Sequence, residues 1–157
     1  MARGDGFARD PRRAELLALY AEVDRLLADF SCEGSTECCR FVLTGREPYP
    51  TAIELAEIAR AVGARGTTLG RRRSSLPQVA DDRACPLLSP GGRCTIYASR
   101  PFGCRTFFCA RATGPGPLPR SEIQRLSRAI AALSERFDPR APGARPLTRA
   151  LADAGRR

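Results

Sequence analysis

The chain has 157 residues, one domain's worth, of which 43% are hydrophobic, 27% charged and 6% aromatic, with 14 Gly and 13 Pro and a net charge of +9. Alanine swells the hydrophobic figure: Leu, Ile, Val and Phe together supply only a fifth of the chain, at the border of what sustains a packed core. There is no His, Trp or Lys, which excludes His-dependent triads, imidazole metal ligands, Schiff-base lysines and the P-loop lysine, and leaves seven cysteines as the conspicuous chemistry.

Met1 to Arg13 is basic but no apolar stretch follows it, so it is not read as a secretory signal. Residues 1–9 are expected to be a flexible N-terminus. Asp10-Pro11 then predicts a helix start, with Asp as the N-cap and Pro at the first helical position. Leu16, Tyr20, Val23, Leu27 and Phe30 follow at spacings that place them on one helix face. Cys38 to Gly45 contains Phe41, Val42 and Thr44 and predicts a short strand. Thr51 and Glu54 form a Thr-x-x-Glu capping box for a second helix, whose apolar face is Leu55, Ile58, Ala59 and Val62 and whose stop is Gly63. Residues 64–78, including Arg71, Arg72 and Arg73, lack periodicity and read as a basic loop. Ser121 and Gln124 repeat the capping-box pattern for a third helix, with Ile123, Leu126, Ile130, Leu133 and Phe137 on its apolar face and Asp138-Pro139 as its end. Residues 10–138 are read as a single cysteine-cluster metal-binding domain and 139–157 as a Pro-, Gly- and Arg-rich tail, with one or two frayed helical turns in its last eleven residues. The expected fold class is mainly α: a small helical scaffold around an irregular, cysteine-rich metal-binding centre with at most short β-strands.

The cysteines fall into two groups, Cys32, Cys38 and Cys39, then Cys85, Cys94, Cys104 and Cys109. No window approaches the roughly 18 apolar residues of a membrane span, and the expected compartment is a reducing cytoplasm without membrane association. There an odd number of cysteines argues for metal ligation or redox chemistry over a disulfide framework. Neither group has the C-x2-C knuckles of zinc ribbons and fingers. On an extended strand Cys38 and Cys39 would point to opposite faces, so a shared metal requires the backbone to turn there. On a helix Cys104 and Cys109 would stand about 140° apart, so the segment between them should turn as well. Pro90-Gly91-Gly92 between Cys85 and Cys94 is a turn signal that folds those two thiols toward each other.

From Arg83 to Ser121 there are six arginines and no Asp or Glu. Four thiolates around zinc, or around a [4Fe-4S] cluster in its 2+ state, carry a formal 2− that would balance them. Nearby guanidinium groups lower thiol pKa values and can donate to metal-bound sulfur, so Arg93, Arg100 and Arg105 are the candidate supporting donors. An acidic partner would balance the same charges. Tyr97, Phe102, Phe107 and Phe108 are read as shielding the site from water.

Cys32-x5-Cys38-Cys39-Arg40-Phe41, Thr51-x2-Glu54, Cys85-Pro86-Leu87-Leu88, Gly92-Arg93-Cys94-Thr95-Ile96-Tyr97 and Arg100-Pro101-x2-Cys104-Arg105-x-Phe107-x-Cys109 occur in that order. In this the chain resembles the YkgJ-type cysteine-cluster proteins, a zinc- or iron-chelating domain known by a CxxCxxCC signature, over roughly Ser31 to Cys109. The resemblance implies metal or iron-sulfur binding by Cys32, Cys38, Cys39, Cys85, Cys94, Cys104 and Cys109. Laid on Cys32, Cys38 and Cys39, the signature puts Ser35 where a cysteine belongs, and serine is a far poorer ligand for soft metals.

Three functions follow as expectations. The first is a small cytoplasmic protein holding zinc or iron, the latter as an ion or a [4Fe-4S] cluster. The second is an iron-sulfur-dependent enzyme or redox component; one branch with a similar domain, flagellin lysine N-methylase, implies methyl transfer, but such enzymes look longer and this chain has no nucleotide-binding glycine fingerprint. The third is a basic module that binds nucleic acid or an acidic partner through Arg71, Arg72 and Arg73.

Overall fold

Asp10 and Pro11 open the long N-terminal helix as the sequence predicts: the Arg12 backbone N–H donates to the Asp10 carboxylate at 2.9 Å, and Pro11 takes the first position, where no intrahelical N–H bond is lost. In this computed structural model, which describes residues 3–30, 37–66, 84–107 and 114–154, that helix is the second of seven. They are α1 (Arg3–Ala8), α2 (Pro11–Leu26), α3 (Phe41–Thr44), α4 (Ala52–Gly63), α5 (Phe102–Arg105), α6 (Arg120–Phe137) and α7 (Leu147–Ala154). The described residues form no sheet, only two isolated antiparallel bridges, Arg40 with Ala84 and Leu88 with Cys94. The mainly α expectation is met.

Of the predicted stripe, Leu16, Tyr20, Val23 and the following Leu27 are buried and pack against Leu126, Ile130 and Leu133 of α6 and Ile53 of α4, whereas α2 ends at Leu26 and leaves Phe30 beyond it, half-buried. Each such side chain contributes about 1.5–3 kcal/mol by leaving water. A second apolar cluster joins Phe41, Ile58, Val62, Leu87 and Ile96 to Leu147 and Leu151 of α7, with Cys85 buried among them.

Several local expectations are corrected. Residues 3–8, read as flexible, form α1, because Phe7 finds a partner: it is buried edge-on against Phe137 with ring centroids 5.4 Å apart. The strand expected over Cys38 to Gly45 is a 3-10 turn (Glu37–Cys39) followed by α3, which closes on Gly45 in the left-handed conformation at φ 63°. Only Arg40 keeps a strand-like bridge. On α4 the capping box forms, with the Thr51 N–H donating to Glu54 Oε2 at 2.8 Å. The helix face differs from the expected one, however: Ile53, Glu54 and Glu57 are buried beside Ile58 and Val62, while Ala59 is exposed. Helix α6 starts one residue before Ser121, and no side chain caps it. Inside the tail, α7 buries Leu147, Ala150 and Leu151 and is tied down where the Thr148 N–H and hydroxyl both donate to Glu47 Oε1.

Candidate metal centre

Two hydrogen-bonded junctions bring the distant cysteine stretches together. The Cys85 N–H donates to the Cys39 carbonyl at 2.7 Å, and the neighbouring Arg40–Ala84 bridge extends that contact. The Pro90-Gly91-Gly92 turn then folds the chain back: Gly92 takes φ 73°, Ser89 N–H donates to the Arg93 carbonyl, and Thr95 donates through both N–H and hydroxyl to the Leu87 carbonyl. In this small hairpin Cys94 is bridged to Leu88, three residues after Cys85. Cys104 arrives separately, in the short helix α5 that follows Pro101.

Cys38, Cys39, Cys85, Cys94 and Cys104 all line one cavity of about 430 Å³, and all five are free thiols. Cys38 is exposed, Cys85 is buried, and Cys39, Cys94 and Cys104 are half-buried. The cavity wall also carries Arg46, Glu47, Glu54 and Arg100 and reaches Ile130 of α6 and Leu147 of α7, so it lies between the two apolar clusters.

The thiols perturb one another. A hydrogen bond from the Cys39 thiol brings Cys38 down to about 6, and Cys39 itself is driven well above the usual thiol range by that bond and by burial. Burial first, then the potential of neighbouring thiolates, raises Cys85 to about 11 and pushes Cys104 higher still. Cys94 is raised by burial as well. Such a group of thiols holds few negative charges at neutral pH unless a cation offsets their repulsion. That donor chemistry fits a soft or borderline cation such as zinc or iron. Among the described residues, no three Cys, Asp or Glu side chains stand in an arrangement that clasps an ion. Cys32 and Cys109, the outer members of the two groups, lie outside the described residues, as do Ser35 and Arg71 to Arg73.

The three candidate arginines separate. Arg100 lines the cavity; it helps lower Cys38, opposes the rise at Cys104 and, together with Arg65, opposes the rise at Cys94. Its guanidinium lies 4.1 Å from the Tyr97 ring centroid, and its Nε is buried with no hydrogen-bond partner among the described residues. Both arginines reach Asp24 of α2, Arg100 at 3.6 Å and Arg105 through a closer pair, but Arg105 is off the cavity wall: it is buried over the Tyr20 ring and donates to the Ala98 and Arg100 carbonyls. Arg93 is exposed and off the cavity wall. Asp24, on α2, therefore supplies a counter-charge that a reading of residues 83–121 alone overlooked. Of the aromatics, Phe102 is buried and Phe107 lies beneath Arg46 at 4.9 Å, but Tyr97 is 65% exposed at the mouth; Phe108 lies outside the described residues.

The sequence reading also missed Glu54 and Glu57 as buried carboxylates. Tyr20 Oη and the Phe102 N–H donate to Glu54 Oε1 at 3.1 and 2.7 Å. Arg13, Arg60 and Ser99 donate to Glu57. Burial opposes the charge on Glu57, but the bonds from Arg60, Arg13 and Ser99 prevail and hold it near 2. The available signal was their spacing: Glu54 and Glu57 are three apart and share a helix face with Ile53 and Ile58.

The chain matches one family of small domains described by metal chelation. The chain belongs to the CxxCxxCC family, described as a "putative zinc- or iron-chelating domain", which matches residues 31–129. No curated protein and no solved structure matches it. Among the described residues no helix is long and apolar enough to cross a membrane.

Proposed function

We propose that this protein binds zinc or iron in the cytoplasm through Cys38, Cys39, Cys85, Cys94 and Cys104, completed by Cys32 and Cys109, with Arg100 as the supporting cation. The observation that carries the reading is that five thiols from three separate backbone segments line one cavity. Thiols used only as small apolar groups would have no reason to share a wall with two arginines and two carboxylates. The first role of the metal is structural, because the thiol-bearing segments hold only short turns, the four-residue helix α5 and isolated bridges of their own.

An iron-sulfur reading has its own support in the cavity volume of about 430 Å³. A single water-sized species takes about 30 Å³, so the space admits a multi-iron cluster or a small substrate beside the metal. Elemental analysis with anaerobic ultraviolet-visible spectroscopy separates the two: a colourless protein with stoichiometric zinc supports the structural ion, whereas a brown protein with acid-labile sulfide supports the cluster. Purified protein with neither metal, and with no thiolate-to-metal charge-transfer band after anaerobic loading, would remove both.

A further inference from the structure

Glu54 and Glu57 stand one turn apart on α4, and each holds a residue of the segment that carries Arg100 and Cys104. The Phe102 N–H donates to Glu54 Oε1 at 2.7 Å, and the Ser99 hydroxyl donates to Glu57 Oε1 at 2.9 Å. Both carboxylates are almost completely buried, and Ser99 and Phe102 are more than nine-tenths buried. The three-residue spacing on the helix matches a three-residue spacing on the segment. Between the two attachment points lie only Arg100 and Pro101; Cys104 follows two residues after Phe102. We propose that Glu54 and Glu57 are positioning residues of the thiol cavity, a two-point clamp that sets Arg100 and Cys104 against the other cysteines.

A buried carboxylate is a poor choice for holding helices together, because an apolar side chain of similar size does so without desolvating a charge. What an apolar residue cannot do is accept a backbone N–H. Pro101, at the N-cap of α5, has no side-chain acceptor to offer, so the Phe102 N–H would be an orphan donor in the core without Glu54. All four acceptor roles of Glu54 are used: Oε1 takes Tyr20 and Phe102, and Oε2 takes the Thr51 N–H and hydroxyl. An amide at this position keeps one accepting oxygen and turns an NH₂ toward two donors. Arg105 fastens the same segment from its other side, through the Ala98 and Arg100 carbonyls. The segment is thus held from α4 and from Asp24 of α2, while the thiols are left free to face the cavity.

This inference rests on the metal-binding reading for its consequence, and the test keeps the two apart. Parent protein and the variants Glu54→Gln, Glu57→Gln, Ser99→Ala and Leu133→Ala are loaded anaerobically with cobalt(II) as the probe, and the charge-transfer band and affinity are read. In parallel, chelated protein is alkylated with iodoacetamide and the rate at Cys104 is read by peptide mass spectrometry. Glu54→Gln is expected to weaken cobalt binding roughly tenfold or more, the usual effect of removing support behind a ligand, and to speed alkylation of Cys104 several-fold. Glu57→Gln and Ser99→Ala move both readouts in the same direction by less. Leu133→Ala, in the core away from the cavity, lowers the melting temperature but leaves both readouts unchanged below its transition. If Ser99→Ala and the glutamate variants retain their helical signal and match the parent in both readouts, or if Leu133→Ala moves them equally, the clamp is wrong. If the parent shows no cobalt band, the metal reading fails while the Cys104 rates still decide the clamp.

Discussion

Leu16, Val23, Leu126 and Leu133 fill a cluster between α2 and α6 made entirely of apolar and aromatic side chains, on helices of 16 and 18 residues. The cluster around Ile58 and Leu147 takes Cys85 as a buried member and has Cys39 and Cys94 packed at its edge, and its backbone between Cys85 and Ser99 consists of turns and one bridge. In the first region, regular helices satisfy the backbone and leave side chains free to pack. In the second, α4 and α7 are regular, but the stretch from Cys85 to Ser99 satisfies its backbone piecemeal and contributes thiols to the packing. The contrast teaches where a metal would matter most: not between the long helices, but along the short segments that bring the thiols to the second cluster.

The sharpest way to break the comparison is to remove the metal. Chelation of loaded protein is expected to abolish amide-exchange protection over residues 37–45 and 84–104 while α2 and α6 stay protected. The effect is large, because a structural thiolate site contributes on the order of 10 kcal/mol. Equal protection of both halves before and after complete metal removal would erase the distinction. A large-to-small substitution makes the converse test. Leu133→Ala should cost about 2–5 kcal/mol in chemical denaturation, while Cys94→Ala in metal-free protein should cost under about 1 kcal/mol, since Cys94 is half-buried and fills little volume. A larger loss from Cys94→Ala than from Leu133→Ala in the absence of metal would mean that the thiols serve as ordinary core.

Glu57 sits at the seam between the two halves and gives the comparison a pH signature. Its carboxyl is held at about 2 in the folded protein against 4.5 for a free glutamate. A depressed folded value contributes stability that is present above about pH 4.5 and is lost as pH falls toward 2. The contribution is roughly 3 kcal/mol. Metal-free protein should therefore lose stability steeply across that window, and Glu57→Gln should flatten the loss while lowering stability at neutral pH. An unchanged slope in the variant would assign the acid sensitivity to other carboxylates.

The sequence was most legible where one local rule decided the outcome. The stripe from Leu16 to Phe30, the Asp10 cap and the Thr51–Glu54 box depend on nearby residues, and all three form except for Phe30, which lies past the end of α2. Phe7 was illegible because its partner, Phe137, lies at the far end of the chain. The strand expected at Phe41-Val42 failed for a related reason: β-branched and aromatic residues favour strands only where a neighbouring strand exists, and among the described residues none runs beside it beyond Arg40–Ala84. For the site, the cysteines and the Pro90-Gly91-Gly92 turn were readable from residue type and spacing. That Arg100 lines the thiol cavity while Arg105 is buried over the Tyr20 ring was not, since both follow the same basic pattern and both pair with Asp24. Glu54 and Glu57 were hidden by the expectation that carboxylates face water.

Asp10 and Ser121 offer the smallest test and the cleanest separation of signal from structure. Both begin a predicted helix with a residue that favours N-caps. Asp10 accepts from the Arg12 N–H at 2.9 Å and pairs with the Arg12 side chain at 2.7 Å, and that hydrogen-bonded partner lowers its carboxyl pKa. Ser121 lies inside α6 and caps nothing. Asp10→Ala should thus cost about 1 kcal/mol, the usual price of a lost cap, and Ser121→Ala should change stability by less than about 0.5 kcal/mol or raise it slightly, because alanine is the better helix former. Both substitutions are read by urea denaturation of metal-free protein. Matching losses at the two positions would show that α6 begins at Ser121 in solution, with the Ser-x-x-Gln box formed, and would move the start of the α6 face that packs on α2.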